Sequence, residues 1–168
     1  MSLPTHTESS SSLWQNVVRD FSVADASLRA FLIAPSTERV KAVRHALHKA
    51  KEREAALQVL QRMSPQEQMD LFPDLVRLAS CGHGHVQMVR SAIKALPRDW
   101  VLARIEAAAE PLLIASTEQF QYEEFRRLLE LYEQLGNEEL LARLAQRALE
   151  HDDEDVREAG QDFLARLG

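Results

Sequence analysis

Apolar residues recur along this chain at spacings of three and four, and almost nowhere at two. Leu13, Trp14, Val17, Val18 and Phe21 form a stripe down one face of a helix with 3.6 residues per turn. Ser12 with Gln15 has capping-box form at its head. Ser22 and Asp25 can open a second short helix, with Leu28, Phe31 and Leu32 behind them. Pro35 ends it, because the proline ring disfavours helix at the preceding residue. Val40, Val43, Leu47 and Ala50 then repeat at 3, 4 and 3, followed by Leu57 and Leu60. Neither Gly nor Pro interrupts residues 36–63, which leaves open one long helix or two joined near 49–51.

Ser64-Pro65-Gln66-Glu67 combines an N-cap, Pro at the first helical position and Glu at the capping-box position. It predicts a helix carrying Met69, Leu71, Leu75 and Leu78, bent near its start by Pro73. Beyond "CGHGH" at 81–85 come Val86, Val89, Ala92, Ile93 and Leu96. Pro97 begins a segment with Trp100, Leu102, Ile105, Ala108 and Leu112. Ser116 with Gln119 heads another, with Phe125, Leu128, Leu129, Tyr132 and Leu135. Gly136 suits a left-handed cap and Asn137 the next N-cap, ahead of Leu140, Leu141, Leu144 and Ala148. Asp152 or Asp153 caps a last helix with Val156, Ala159, Phe163, Leu164 and Leu167. Alternating β-branched runs and Asn-Gly or Asp-Gly hairpin turns are absent. The prediction is an all-α protein of about eight or nine helices, one domain over 13–168 behind a disordered leader at 1–12.

Composition narrows this little: 45% apolar and 27% charged residues are ordinary for a globular chain. Cys81 is the single cysteine, so no disulfide can form within the chain, and a reducing, cytoplasmic setting is expected. No apolar run is long enough to span a bilayer, and residues 1–12 lack the basic and apolar regions of a secretory signal. Charge is more telling. Residues 1–84 carry 10 basic and 9 acidic side chains, and residues 85–168 carry 10 and 17, so the net −6 lies in the second half. An acidic half repels phosphate backbones, which argues against nucleic acid along the whole length.

Three helical segments share Val-Arg-x-Ala, beginning at Val43, Val89 and Val156, at offsets of 46 and 67. The second offset has room for two short helix pairs, with 97–135 a pair lacking the signature. "EELLARLAQRALEHDDEDVREAGQDFLARLG" has a leucine-rich first helix, an acidic turn, then Asp-Val-Arg and a small residue. Here the chain resembles the HEAT-repeat family, with looser matches in "LVRLAS" and "MVRSAIKAL", over residues 64–168. The resemblance implies a right-handed α-solenoid of stacked antiparallel helix pairs. It also implies a structural Asp–Arg ladder between neighbouring repeats, to which Arg90, Arg157 and Arg44 would belong. The acidic turn survives at Asp152, Asp153 and Asp155, whereas His85-Val86-Gln87 stands in the matching place before Val89.

Three stretches could carry chemistry. Cys81, His83 and His85 could ligate a metal, but Gly82 and Gly84 fit a turn between helices. No Cys-x-x-Cys or His-x3-His pattern supplies a fourth ligand, so no metal or other cofactor is expected. From Arg39 to Arg53, six basic residues face one acid, and Lys41, Arg44, His48 and Lys51 share a helical face. An anionic partner could dock there, although no aromatic is interleaved to stack on bases. Glu123-Glu124 and the acidic run 152–155 lack the spacing of a calcium loop, and the latter suits a helix start. No phosphate loop, nucleophile elbow or zincin motif occurs, so an enzyme is not expected.

The expected function is therefore surface recognition. A non-enzymatic scaffold would bind a protein or peptide on the concave face of a HEAT-like solenoid. By helical phase, the lining would be Gln87, Ser91 and Lys94, then Glu123, Arg127 and Glu130, then Glu158 and Gln161. The rivals are a nucleic-acid-binding repeat protein using 39–53, and a HEAT-like enzyme accessory of the bilin-lyase type.

Overall fold

The computed structural model describes residues 10–81, 84–115 and 121–167. The chain divides into two compact units, Met1–Arg39 and Val40–Gly168. In the first, a single helix α1 spans Ser10–Leu32, where two shorter ones are expected. Ser12 and Ser22 are not caps but lie inside it. Ser22 and Ser27 each return their hydroxyl to the carbonyl four residues back, at 2.9 Å. This satisfies the polar side chains without interrupting the helix, and no Gly or Pro breaks it. No residue of α1 is buried. Past its end, Arg39 donates to the Leu32 and Ala34 carbonyls.

From Ser36 to residue 63 there are two helices, α2 (Ser36–Leu47) and α3 (Arg53–Leu60). The turn between them is tied by Arg53 Nε to the Leu47 carbonyl at 2.8 Å. Ser64 then makes the expected capping box. Its hydroxyl oxygen accepts from the Glu67 N–H, and the Glu67 carboxylate accepts from the Ser64 N–H at 2.9 Å. The helix it starts is short. α4 (Pro65–Asp70) gives way at Leu71 to α5 (Phe72–Ser80), so the expected bend is a break. Pro73 sits in the first turn of α5, where its missing N–H costs no bond, and its ring opposes continuing helix from the preceding turn.

α6 (Val86–Ala95) follows, then α7 (Arg98–Leu102) and α8 (Ile105–Ala115) in place of one expected segment. Nothing in the local sequence, which has neither Gly nor Pro at 103–104, explains that break. The expected cap at Ser116 and Gln119 lies outside the described residues. α9 (Gln121–Leu135) ends at Gly136, which has φ +64°. Asn137 accepts from the Leu140 N–H at 3.0 Å to start α10 (Glu138–Leu149). Asp153, rather than Asp152, caps α11 (Glu154–Ala165). Among the described residues there are eleven helices and no strand.

Packing in the second unit follows one template. α6 buries Val89, Ala92, Ile93 and, at its end, Leu96. α9 buries Phe125, Leu128, Leu129 and Tyr132, and α11 buries Val156, Ala159, Gly160 and Phe163. Each set is spaced i, i+3, i+4, i+7, and α3 repeats its last three members with Ala56, Leu57 and Leu60. α5 packs on α6, α8 and α9, and α9 also meets α8, α10 and α11. α3 meets α6, and α10 lies along α11. That last approach needs Gly160, where a Cβ would stand 2.7 Å from the Ala145 carbonyl oxygen and 2.9 Å from the Ala148 Cβ.

Candidate partner-binding surface

The expected lining residues lie on α6, α9 and α11, and α9 is tied to both others. Arg90 on α6 is only 3% exposed. Its Nη2 donates to the Glu130 carboxylate at 2.8 Å and the Arg127 carbonyl at 3.1 Å, both on α9, while its Nε has no hydrogen-bond partner. Beyond the end of α11, Arg166 donates to Glu133 of α9 at 3.2 Å. Of the eight lining residues, Gln87, Ser91, Lys94, Glu123, Glu158 and Gln161 are exposed. Arg127 and Glu130 are half-buried and engaged, Arg127 with Glu123 at 2.8 Å and Glu130 with Arg90. Those two are part of the packing rather than a free surface.

The three arginines expected in a ladder act in three ways. Arg90 reaches the neighbouring helix. Arg44, on α2, donates to Asp74 of α5 at 2.9 Å and to the Asp70 carbonyl at 2.7 Å. Arg157 instead closes its own turn, on the His151 and Asp152 carbonyls at 2.8 and 2.6 Å. Other arginines make the longer ties. Arg143 donates to Glu106 at 2.8 and 3.0 Å, Arg147 to Glu110, and Arg98 to the Leu135 and Gly136 carbonyls at the end of α9. Four of these partnerships, 90 with 127, 98 with 135, 106 with 143 and 110 with 147, span 37 residues each. A search for paired acids and arginines at one fixed offset would have found the last two.

Between the α8–α10 ion pairs lies a small cleft of about 70 Å³ with Tyr132 in its lining. Burial is the main cause pushing the Tyr132 phenol above its usual range, and Glu106 adds to it. The hydrogen bond from Arg147 holds the Glu110 carboxyl below the usual carboxylate range. These groups are neutralised by one another, so the cleft offers no unmatched charge to a ligand. A second, half-open cleft of about 180 Å³ has Ile93, Leu96, Val101 and Leu135 among its lining, with Lys94, Arg98 and Gln134.

The basic stretch is largely occupied with holding helix ends. Arg39, Arg44 and Arg53 donate to backbone carbonyls, and Lys49 pairs with Glu52 at 3.0 Å. His48 Nε2 lies 2.9 Å from Asp74, and its Nδ1 lies 3.3 Å from Arg77. Lys41 and Lys51 are exposed. Cys81 is half-buried in extended backbone and His85 begins α6, while Gly82 and His83 lie outside the described residues. Among the described residues no group of three or more His, Cys, Asp or Glu side chains could hold a metal ion, and no helix is long and apolar enough to cross a membrane.

No protein-family model, curated protein or solved structure matches the chain.

Proposed function

We propose that residues 40–168 form a HEAT-like α-solenoid of four helix pairs that binds a protein or peptide partner without catalysing a reaction. The pairs are α2 with α3, α5 with α6, α8 with α9, and α10 with α11, with α4 and α7 as connecting turns. The observation that carries this reading is the register of the second helices. Their buried sets begin 36 residues apart at Val89 and Phe125, and 31 apart at Phe125 and Val156. The arginine ties at a 37-residue span support it further, because they join the second pair to the third and the third to the fourth.

In such an array the second helices lie side by side and offer one extended surface. The docking residues would be Gln87, Ser91 and Lys94 on α6, Glu123 on α9, and Glu158 and Gln161 on α11. Negative charge prevails towards the C-terminal pairs, so the partner would present basic groups there. The nucleic-acid reading is disfavoured, because four of the six basic residues of 39–53 already serve carbonyls or Glu52. The bilin-lyase-type reading has no observation in its favour.

The test compares affinity capture from a host lysate by the wild-type chain and by a Glu123→Lys/Glu158→Lys variant, followed by kinetics with the captured partner. The variant is expected to associate more slowly at low salt, with the difference shrinking as the Debye length falls to about 8 Å at physiological ionic strength. Equal association rates at low salt would contradict this choice of surface.

A further inference from the structure

The helix α1 carries an apolar seam of a stricter kind than its amphipathicity requires. Trp14, Val17, Phe21, Ala24, Leu28 and Phe31 are spaced 3, 4, 3, 4 and 3. That is the a and d pattern of a coiled coil, which suits a second helix as occupant. The first half is bare: Trp14 is 66% exposed, Val17 53% and Phe21 75%, with Leu13 and Val18 flanking them at about half exposure. Aromatic side chains present about 150–250 Å² each when fully exposed, so these five residues offer roughly 500 Å². That approaches the ~800 Å² per partner of a standard interface and lies at the upper end of the apolar patches that monomers expose.

Charge narrows the occupant. α1 carries Arg19 and Arg29 against Asp20 and Asp25, and each arginine is paired with its aspartate. A helix without surplus charge has nothing to hold anionic headgroups or a strongly charged partner, and it does not repel its own copy.

We propose that α1 is a self-association helix, through which two copies of this chain pair antiparallel along the seam. In the antiparallel register Trp14 meets Phe31, Val17 meets Leu28, and the large Phe21 meets the small Ala24 of the other copy. The flanking aspartates then face Ser27 and Val18. The parallel alternative would set Asp20 of one copy against Asp25 of the other, a like-charge contact.

Light scattering of the full chain at about 100 µM, a concentration at which even weak helix pairing populates the dimer, should give twice the 19.1 kDa chain mass. Phe21→Asp should return it to the monomer with unchanged thermal unfolding, since α1 has no buried residue. In a Cys81→Ser background, a Val17→Cys chain mixed with a Leu28→Cys chain should cross-link on oxidation, and neither should do so alone. A monomeric wild-type chain would overturn the proposal, whether α1 is then found folded onto its own chain or bound to neutral phosphatidylcholine vesicles. So would a dimer that Phe21→Asp leaves intact, or efficient cross-linking of Val17→Cys by itself.

Discussion

Arg90 is a buried charged side chain that ties two helices together. It is nearly fully buried, its Nε is unpaired, and its Nη2 holds a carboxylate and a carbonyl of α9. Arg90→Ala should cost about 2–3 kcal/mol, because it removes a charged hydrogen bond and leaves the Arg127 carbonyl without that donor. Arg90→Met fills the same volume without a charge to desolvate and should cost less. Arg157→Ala removes only local bonds at its own turn and should cost about 1 kcal/mol. Urea unfolding checks all three, and equal losses at Arg90 and Arg157 would contradict this ranking. Tyr132 gives a pH signature. Burial raises its folded-state pKa, so its contribution is full below the ordinary phenol value of about 10 and is lost as pH rises beyond it. The thermal midpoint should therefore fall above pH 10 more steeply in the wild type than in Tyr132→Phe. Val-Arg-x-Ala made Arg90 legible in the sequence. Its partner Glu130, 40 residues away, was not, because nothing local to either residue encodes the pairing. The need for Gly160 is likewise a fact about the distance to α10.

Helix starts were the elements most readable from sequence, because a cap is a local arrangement of side chain and backbone. The Ser64 box, the Gly136-Asn137 junction and the Asp153 cap are all present. Ser64→Ala should cost about 1–2 kcal/mol, towards the upper end because Glu67 is only 2% exposed and would lose the Ser64 hydroxyl. Thermal melting checks this, and Ser64→Asp should lie well below the wild type because it sets a second carboxylate against Glu67. Interruptions were harder to read. The turn after Leu47, the break at Leu71 and the break at 103–104 each divide a segment whose apolar periodicity runs on. Periodicity reports which face is buried, and two helices in succession can present the same face. The reverse holds in α1, where a Ser-Val-Ala-Asp stretch has the form of a new start but the serines bond back along an unbroken helix.

At the scale of the molecule, the all-helical class follows from the sequence pattern alone, whereas the arrangement of the helices depends on contacts between residues about 30 to 40 apart. The proposed repeat has only a partial signature in the sequence. On the proposed arrangement the 67-residue offset from Val89 to Val156 would span two helix pairs, and the copy between them would be Phe125-Arg126-Arg127-Leu128 on α9, the same pattern with larger apolar residues. Val43 lies on α2, which would be a first helix in that arrangement, and its offset of 46 would then be irregular for that reason. The candidate surface was legible as exposed polar positions. Which of them are committed to packing, as Arg127 and Glu130 are, depended on neighbours from other helices. The proposed solenoid requires the second helices of residues 40–168 to lie in sequence, α3, α6, α9, α11, as a stack. Electron–electron distances between spin labels on the exposed Gln58 of α3 and Gln161 of α11, in a Cys81→Ser chain, test it most directly. Neighbouring helix axes lie about 8–10 Å apart, so three steps predict roughly 30 Å between the labelled helices. A distance of about 10 Å, placing α3 beside α11, would mean that the helices close into a bundle and that no extended binding surface exists.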